Sequence, residues 1–314
     1  MSVRIAVIDD YQGVADSFGD WSRLPADADV SFFRDHLSSA SDLVDRLQPF
    51  EIIGVMRERT AFPRSVLTEL PNLRLLVTTG RQNRAIDIEA ADDLGVSVGF
   101  TSSPGHATAE LTMAMILSLA RNLSAESGSV NAGGWQVGVG RDLRGAGLGL
   151  VGLGRLGSQV ADLAQAFGME VAAWSENLTE ERCAELGVAH LSRDDLFRSS
   201  DFVSVHLRLS ERTTGLIGEE LLGIMRSDAY LINTSRGPIV DEDALVGALT
   251  GGTIAGAAVD VYEDEPLPPD HRLRTTPRLI ATPHIGYVTR ETYEIFYGEM
   301  VEAIAVYLKD RGAR

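Results

Sequence analysis

Three residues of the kind that can do chemistry together lie in the C-terminal half of the sequence. Arg236 sits in "LINTSRGPIVDEDAL" (231–245), Glu265 in "AGAAVDVYEDEPLP" (255–268) and His284 in "IATPHIGYVT" (280–289). A guanidinium presents a planar fork that suits a carboxylate. An imidazole exchanges a proton near neutral pH, and a carboxylate beside it orients it and favours its charged form. Each of the three segments opens with an apolar strand and closes in a polar turn. In an open parallel sheet, ligands meet the carboxyl ends of the strands, so the three turns are expected to converge on one crevice.

The same crevice should receive the stretch "LGLVGLGRLGSQVADLAQAFGMEVAAWSENL" (148–178). Gly152, Gly154 and Gly157 form G-x-G-x-x-G directly after an apolar run. Gly152 permits the tight strand-to-helix turn, Gly154 lets a pyrophosphate approach the backbone, and Gly157 lets helix and strand pack closely. The phosphates would then lie at the positive end of a helix starting near Arg155. An acidic residue that takes the ribose hydroxyls is expected about 20 residues further on. That place reads Trp174-Ser175-Glu176, with Ser175 where the carboxylate would stand. A missing carboxylate relaxes the exclusion of a 2′-phosphate, yet no Arg or Lys adjoins Ser175 and the nearest downstream is Arg182. The balance favours NAD and leaves NADP open.

These turns need elements to hold them. "RIAVID" (4–9), "EIIGVM" (51–56), "LRLLVTT" (73–79) and "GVSVGF" (95–100) read as buried strands, with helices over "SASDLVDRLQPF" and "IDIEAADDLG". Strand–helix alternation implies a parallel sheet covered by helices. "HATAELTMAMILSLARN" (106–122) reads as a mostly buried helix, and the Gly-rich stretch after it, holding Trp135, reads as irregular. A second alternating series has strands near 148–151, 170–174, 202–205, 229–233, 254–259 and 279–281. A long amphipathic helix, "RETYEIFYGEMVEAIAVYLKD", closes the sequence. The expected architecture is two α/β units with a hinge-like helix between them.

Bulk composition narrows the class. The sequence has 314 residues, 44% hydrophobic and 23% charged, as in a globular protein of two domains. A formal net charge of -17 argues against nucleic-acid and anionic-membrane partners, which require a Lys/Arg excess. The single cysteine, Cys183, cannot form an intramolecular disulfide and reads as a small buried hydrophobe on a helix. No metal-type Cys/His spacing surrounds it. The N-terminus shows no signal-peptide layout, and no apolar run approaches the ~18 residues of a membrane span. The expected setting is a reducing cytoplasm.

With these residues in place the sequence resembles the D-isomer-specific 2-hydroxyacid dehydrogenase family. The resemblance rests on G-L-G-R-L-G (152–157), N-T-S-R-G-P-I-V-D (233–241), V-D-V-Y-E-D-E-P-L (259–267) and T-P-H-I-G-Y (282–287), in the family's order. It implies two Rossmann-like, doubly wound parallel-sheet domains with an interdomain cleft. One is an NAD(P)-binding domain over 101–285, and the other a discontinuous substrate domain over 1–100 plus 286–314. It implies that Arg236 grips the carboxylate of a small 2-keto acid and polarises its carbonyl. His284 would protonate the carbonyl oxygen as hydride arrives, and act as base in the reverse direction. Glu265, chosen over Glu263 because the family's Glu precedes the Pro, would hold the imidazole charged, so reduction should fade as pH rises. Gly152, Gly154, Arg155, Leu156, Gly157, Ser175, Thr234, Ser235, Asp260 and Gly286 would contact the cofactor, Asp260 at the nicotinamide carboxamide. Closure of the domains would exclude water. The helix 108–121 and the arm 124–143 would form a homodimer interface, through 108–143.

Two places depart from the family pattern. "TTGRQNRAID" carries Gln82 where a glycine is usual, so Arg81, Gln82 and Asn83 crowd the substrate loop. Either Arg81 and Arg84 point to solvent, or Arg81 or Asn83 lines the pocket and selects a polar substrate side chain. "VHLRLSERT" has Arg208 in place of proline, expected on the adenosine side of the crevice, and His206 before it reads as structural or cofactor-adjacent. "MRERTAFP" (56–63) resembles the family's first substrate loop, with Arg57 structural or at the rim. The expected activity is reduction of a glyoxylate- or hydroxypyruvate-type acid by NAD(P)H. A dinucleotide-sensing regulatory protein and a formate- or phosphite-type dehydrogenase are the alternatives.

Overall fold

A computed structural model describes residues 2–312. The chain divides into two compact units, one of Met1–Pro104 with Val288–Arg314, the other Gly105–Tyr287.

The first unit is built on five parallel strands: β1 (Val3–Val7), β2 (Ala28–Phe32), β3 (Ile52–Val55), β4 (Leu75–Thr78) and β5 (Ser97–Phe100), in the order β2-β1-β3-β4-β5. β3 and β4 are buried along their whole length, which is why they read as unbroken apolar runs. β2, with the sequence ADVSF, is half-buried at the sheet edge and carries no such run, so periodicity missed it. Helices start where their caps dictate. Ser39 accepts from the Asp42 amide at the head of Ala40–Leu47, and Asp87 from the Ala90 amide at the head of Ile88–Asp93.

The last helix, Arg290–Gly312, belongs to this unit. Tyr293, Phe296, Tyr297, Met300, Val301, Ile304 and Leu308 are buried, a spacing that puts them on one face. Met300 lies so close to β3 that a Cβ on Gly54 would stand 2.5 Å from its sulfur. Glu299 accepts from both the amide and the hydroxyl of Ser102, and Arg311 pairs with Glu51 at 2.6 Å. The amphipathic reading therefore holds, and the helix returns to cover the sheet formed by the chain's first hundred residues.

The second unit holds seven parallel strands: β6 (Gly147–Val151), β7 (Glu170–Trp174), β8 (Ala189–His190), β9 (Phe202–Val205), β10 (Tyr230–Asn233), β11 (Gly256–Val259) and β12 (Leu279–Ala281). Their order is β8-β7-β6-β9-β10-β11-β12. The chain reverses direction between β6 and β9, the topological switch point where such sheets bind dinucleotides. The two-residue β8 is an exposed edge that the sequence pattern did not show.

Register fixes what stands at that edge. Trp174 pairs with Val151, Val151 with Val205, Val205 with Asn233, Asn233 with Val259 and Val259 with Ala281. The residues that follow this row are therefore Ser175, Gly152, His206, Thr234, Asp260 and Thr282, all at the carboxyl ends of adjacent strands.

One reading is corrected here. The stretch after residue 122 is not wholly irregular, because Leu123–Asn131 is a helix. Its Ser and Gly content hides it from propensity. It is a continuation of Ala107–Ala120, broken by Asn122 in the left-handed conformation at φ 51°. Glu126 accepts from the amides of Val137 and Gly138 and so ties the following arm back onto this helix.

Candidate active site

The Gly-rich turn obeys the spatial demands of its sequence. Gly152 has φ 108°, and a Cβ there would stand 2.8 Å from the His206 carbonyl oxygen. A Cβ on Gly157 would stand 2.2 Å from the Gly152 carbonyl oxygen, so helix and strand meet at bare backbone. At Gly154 the situation is opposite. Among the described residues nothing lies within 4 Å of where its Cβ would be. The room beside Gly154 is open, and it faces the N-terminus of the helix Arg155–Ala166. Space without protein atoms at the positive end of a helix fits a pyrophosphate.

Around this turn, Arg155 is exposed and Leu156 half-buried. A Cβ on Gly105 would meet the Arg155 guanidinium, which therefore lies over that glycine. Ser175 is half-buried at the end of β7 and Glu176 is exposed. Arg182 pairs with Glu185 at 2.8 Å, and Arg208 is exposed in the turn after β9. His206 bonds Ser204 through Nε2 at 2.9 Å, and burial pushes its imidazole down to about 4. It stands beside the Gly-rich turn as a neutral group.

The three chemical residues come together in the same unit. The Nδ1 of His284 lies 2.6 Å from Oε2 of Glu265. Both side chains are about one-fifth exposed, at 22% and 21%. The other oxygen of Glu265 accepts from the Tyr262 amide at 3.0 Å, so the carboxylate is held at both ends. Glu263 and Asp264 are exposed, which separates Glu265 from its acidic neighbours by geometry. His284 sits at φ 52°, a left-handed conformation that is uncommon for any residue but glycine, Asn or Asp. Its turn is held from below by Asp260, which is only 1% exposed. Asp260 accepts from the Thr282 hydroxyl at 2.6 Å, the Ile285 amide at 2.8 Å and the Gly286 amide at 2.8 Å. Burial raises the Asp260 carboxyl, opposed by these hydrogen bonds and by His284.

Arg236 approaches from β10. Its loop is pressed against the Glu265 loop, because a Cβ on Gly237 would stand 2.0 Å from the Tyr262 carbonyl carbon. Only glycine allows that approach. The guanidinium of Arg236 is half-buried and donates to the Ser235 carbonyl at 2.8 Å. Ser235 in turn donates its hydroxyl to the Leu207 carbonyl, and its amide donates to Asn233. Thr234 is buried and shares a hydroxyl–hydroxyl bond with Thr112 at 2.8 Å. Thr108, from the same helix as Thr112, donates to the Gly286 carbonyl at 2.9 Å. Tyr262, Thr282, Gly237 and Thr108 are structural members of the site that motif reading passed over. The first three lie inside the quoted motifs, where their neighbours drew the attention.

The loop after β4 lies in the first unit. Arg81, Gln82 and Arg84 are exposed, while Asn83 is buried. The Asn83 amide donates to the Arg57 carbonyl at 2.5 Å and to the Thr78 hydroxyl at 2.8 Å, and its oxygen accepts from the Ala85 amide at 2.9 Å. Asn83 therefore holds the loop's shape. Arg57, at φ 52°, lies over Gly80 and donates to the Thr79 carbonyl. Among the described residues no cluster of His, Cys, Asp and Glu could hold a metal ion, and no helix is long and apolar enough to cross a membrane.

The chain is similar to a family of known proteins. Residues 113–286 match the family model described as D-isomer specific 2-hydroxyacid dehydrogenase, NAD binding domain. The sequence is 42% identical over 239 residues to a glyoxylate reductase of Aeropyrum pernix, covering 72% of this chain and 71% of that protein. It is 37% identical over 275 residues to a D-3-phosphoglycerate dehydrogenase of Bacillus subtilis. That match covers 86% of this chain but 52% of the relative, so the chain spans about half the length of that enzyme. A crystal structure described as phosphoglycerate oxidoreductase from Vibrio cholerae superposes with a TM-score of 0.93 at 34% identity, covering 98% of this chain and 99% of that one.

Proposed function

Because the chain belongs to the D-isomer-specific 2-hydroxyacid dehydrogenase family and carries its NAD-binding domain, we propose that it reduces a small 2-keto acid to the D-2-hydroxy acid. Glyoxylate and hydroxypyruvate are the foremost substrates, as the names of relatives suggest. The observation that carries this reading is the 2.6 Å contact of His284 with Glu265, in a unit whose sheet edge also bears Arg236 and the Gly-rich turn.

Gly152, Gly154, Arg155, Leu156 and Gly157 hold the pyrophosphate, Ser175 the ribose, and Thr234, Ser235, Asp260 and Gly286 the nicotinamide end. NADH held there would supply the hydride for reduction of the acid's carbonyl. The chain does the rest. Arg236 grips the carboxylate with its fork and draws electron density from the carbonyl. Nδ1 of His284 faces Glu265, so the proton given to the carbonyl oxygen is assigned to Nε2. Glu265 keeps the imidazole oriented and favours its charged form until that transfer. NAD is preferred over NADP because Glu176 adjoins Ser175 and Arg182 is already paired with Glu185. Arg81 reads the substrate's side chain.

Two surface features add to the proposal. The helix Ala107–Ala120 turns Ala109, Met113, Met115, Ile116 and Leu119 into its own core, so it offers little apolar surface to a partner. The exposed apolar side chains lie beyond it: Leu123, Val130, Trp135, Val137 and Val139, with Trp135 75% and Val139 96% exposed. A homodimer would bury this arm. The one thiol, buried at Cys183, suits a reducing cytoplasm.

The test is initial-rate oxidation of NADH and NADPH with glyoxylate, hydroxypyruvate, pyruvate and phenylpyruvate, with His284→Ala as control. Phosphohydroxypyruvate belongs in the set, because Arg57, Arg59, Arg81 and Arg84 lie in the segments that follow β3 and β4 and several relatives are named for a phosphorylated acid. Turnover lost in the control supports the reading. Tight dinucleotide binding without turnover on any acid replaces it with the sensing role.

A further inference from the structure

Tyr262 touches all three loops that carry Arg236, Glu265 and His284. Its amide donates to Oε1 of Glu265 at 3.0 Å. Its backbone is the surface on which Gly237, the neighbour of Arg236, is seated. Its hydroxyl donates to the Thr282 carbonyl at 2.8 Å. That carbonyl also accepts the His284 amide at 2.9 Å, a bond that spans Pro283 and pins the chain where it enters the left-handed residue His284. The other end of Thr282 is tied by its hydroxyl to Asp260. Tyr262 itself is 6% exposed, so its bonds form away from water, where they are strongest.

We propose that Tyr262 is a positioning residue: its hydroxyl fixes the Thr282 carbonyl, and through it the turn that sets His284 against Glu265 and beside the Arg236 loop. A non-glycine residue held in a left-handed turn relaxes unless its surroundings over-determine it. Asp260 secures the amides after His284, and Tyr262 secures the carbonyl before it. Loss of the hydroxyl leaves the amide bond to Glu265 and the Gly237 contact in place, so the change falls on His284 alone. Burial, with the Asp260 and Glu265 carboxylates nearby, pushes the phenol up to about 12, and it therefore remains a donor across the working range.

The kinetic part of this inference rests on the keto-acid reductase reading, and the spectroscopic part does not. The experiment compares wild type with Tyr262→Phe, which keeps the ring that fills the core. With 15N-histidine labelling, the His284 Nδ1 proton is assigned by its disappearance in His284→Gln. In Tyr262→Phe that resonance is expected to move upfield or broaden. On the wild type's best keto acid, kcat is expected to fall roughly 10- to 100-fold, as displacement of a reacting group does. The Kd for NADH should stay within about twofold and the melting temperature should drop by roughly 2–4 °C, the size of one lost hydrogen bond in a unit this large. An unchanged resonance overturns the proposal, whatever happens to kcat. A shifted resonance with unchanged kcat overturns it too, because the turn would then move without consequence. If wild type reduces no keto acid, the reductase reading fails, and the resonance alone decides whether Tyr262 positions His284.

Discussion

His284 and Glu265 are joined at 2.6 Å through Nδ1 and Oε2, and the same carboxylate is braced at its other oxygen by the Tyr262 amide. The carboxylate therefore cannot swing away from the imidazole without also breaking its bond to the Tyr262 amide. On the proposed reading His284 starts charged in the reductive direction, so the rate is expected to fall as pH rises. The oxidative direction needs the neutral ring and rises over the same range. Glu265→Gln removes the negative charge that favours the imidazolium, so the alkaline limb of the reductive profile moves to lower pH. The rate at neutral pH is expected to fall about 10- to 100-fold. Profiles of kcat/KM against pH for both proteins check this, and superimposable limbs refute it.

The glycines of the phosphate turn separate folding from binding. Gly157→Ala places a methyl 2.2 Å from the Gly152 carbonyl oxygen, so the helix must shift and the melting temperature falls by several degrees. Gly154→Ala places it in open space and leaves the melting temperature of the cofactor-free protein within about 2 °C of wild type. It nevertheless obstructs the pyrophosphate, and NADH binding should weaken at least about 10-fold. Calorimetric melting and NADH fluorescence titration read the two effects. Unaltered NADH affinity in Gly154→Ala argues that the dinucleotide lies elsewhere.

His206 supplies a pH dependence of stability. Its ordinary value is 6.5, and burial lowers it in the folded protein to about 4. Between those values the unfolded chain binds a proton that the folded chain refuses, so stability is intact above pH 6.5 and is lost as pH falls toward 4. One unit is worth about 1.4 kcal/mol, so the loss is on the order of 3 kcal/mol. His206→Gln retains a partner for Ser204 and flattens this limb. Urea melts of the NADH-free protein at pH 7.5, 5.5 and 4.5 test it, and parallel losses in both proteins would place the acid sensitivity in other groups.

Arg81 is exposed in the loop whose shape Asn83 holds. Arg81→Ala should lower kcat/KM for acids with a polar or phosphorylated side chain by about 10-fold relative to glyoxylate, with NADH affinity unchanged. An unchanged ranking of acids means that Arg81 only faces solvent.

Much of this was legible before any coordinates. The glycine spacing at 152–157 and the apolar runs of β6, β7, β9, β10, β11 and β12 announced the nucleotide unit, most clearly in β6, β9, β10 and β11, which are buried almost throughout. Two of the four edge strands escaped: β2 is half-buried, the two-residue β8 is exposed, and neither has an apolar run to reveal it. The helix Leu123–Asn131 escaped because Ser and Gly argue against it locally while Glu126 and the preceding helix support it from a distance.

The candidate site divides in the same way. Residue type and motif order pointed to Arg236, Glu265 and His284, since a fork, a carboxylate and an imidazole announce their chemistry by themselves. Asn83 and Tyr262 could be judged only once the chain was folded. An amide or a phenol serves equally well against solvent, substrate or backbone, and nothing local says which. The Thr78 hydroxyl, the Arg57 carbonyl and the Thr282 carbonyl decide it, and they reach those side chains through strand register and turn geometry. Chemical capacity belongs to the residue, whereas the partner that uses it is brought by contacts between distant parts of the chain.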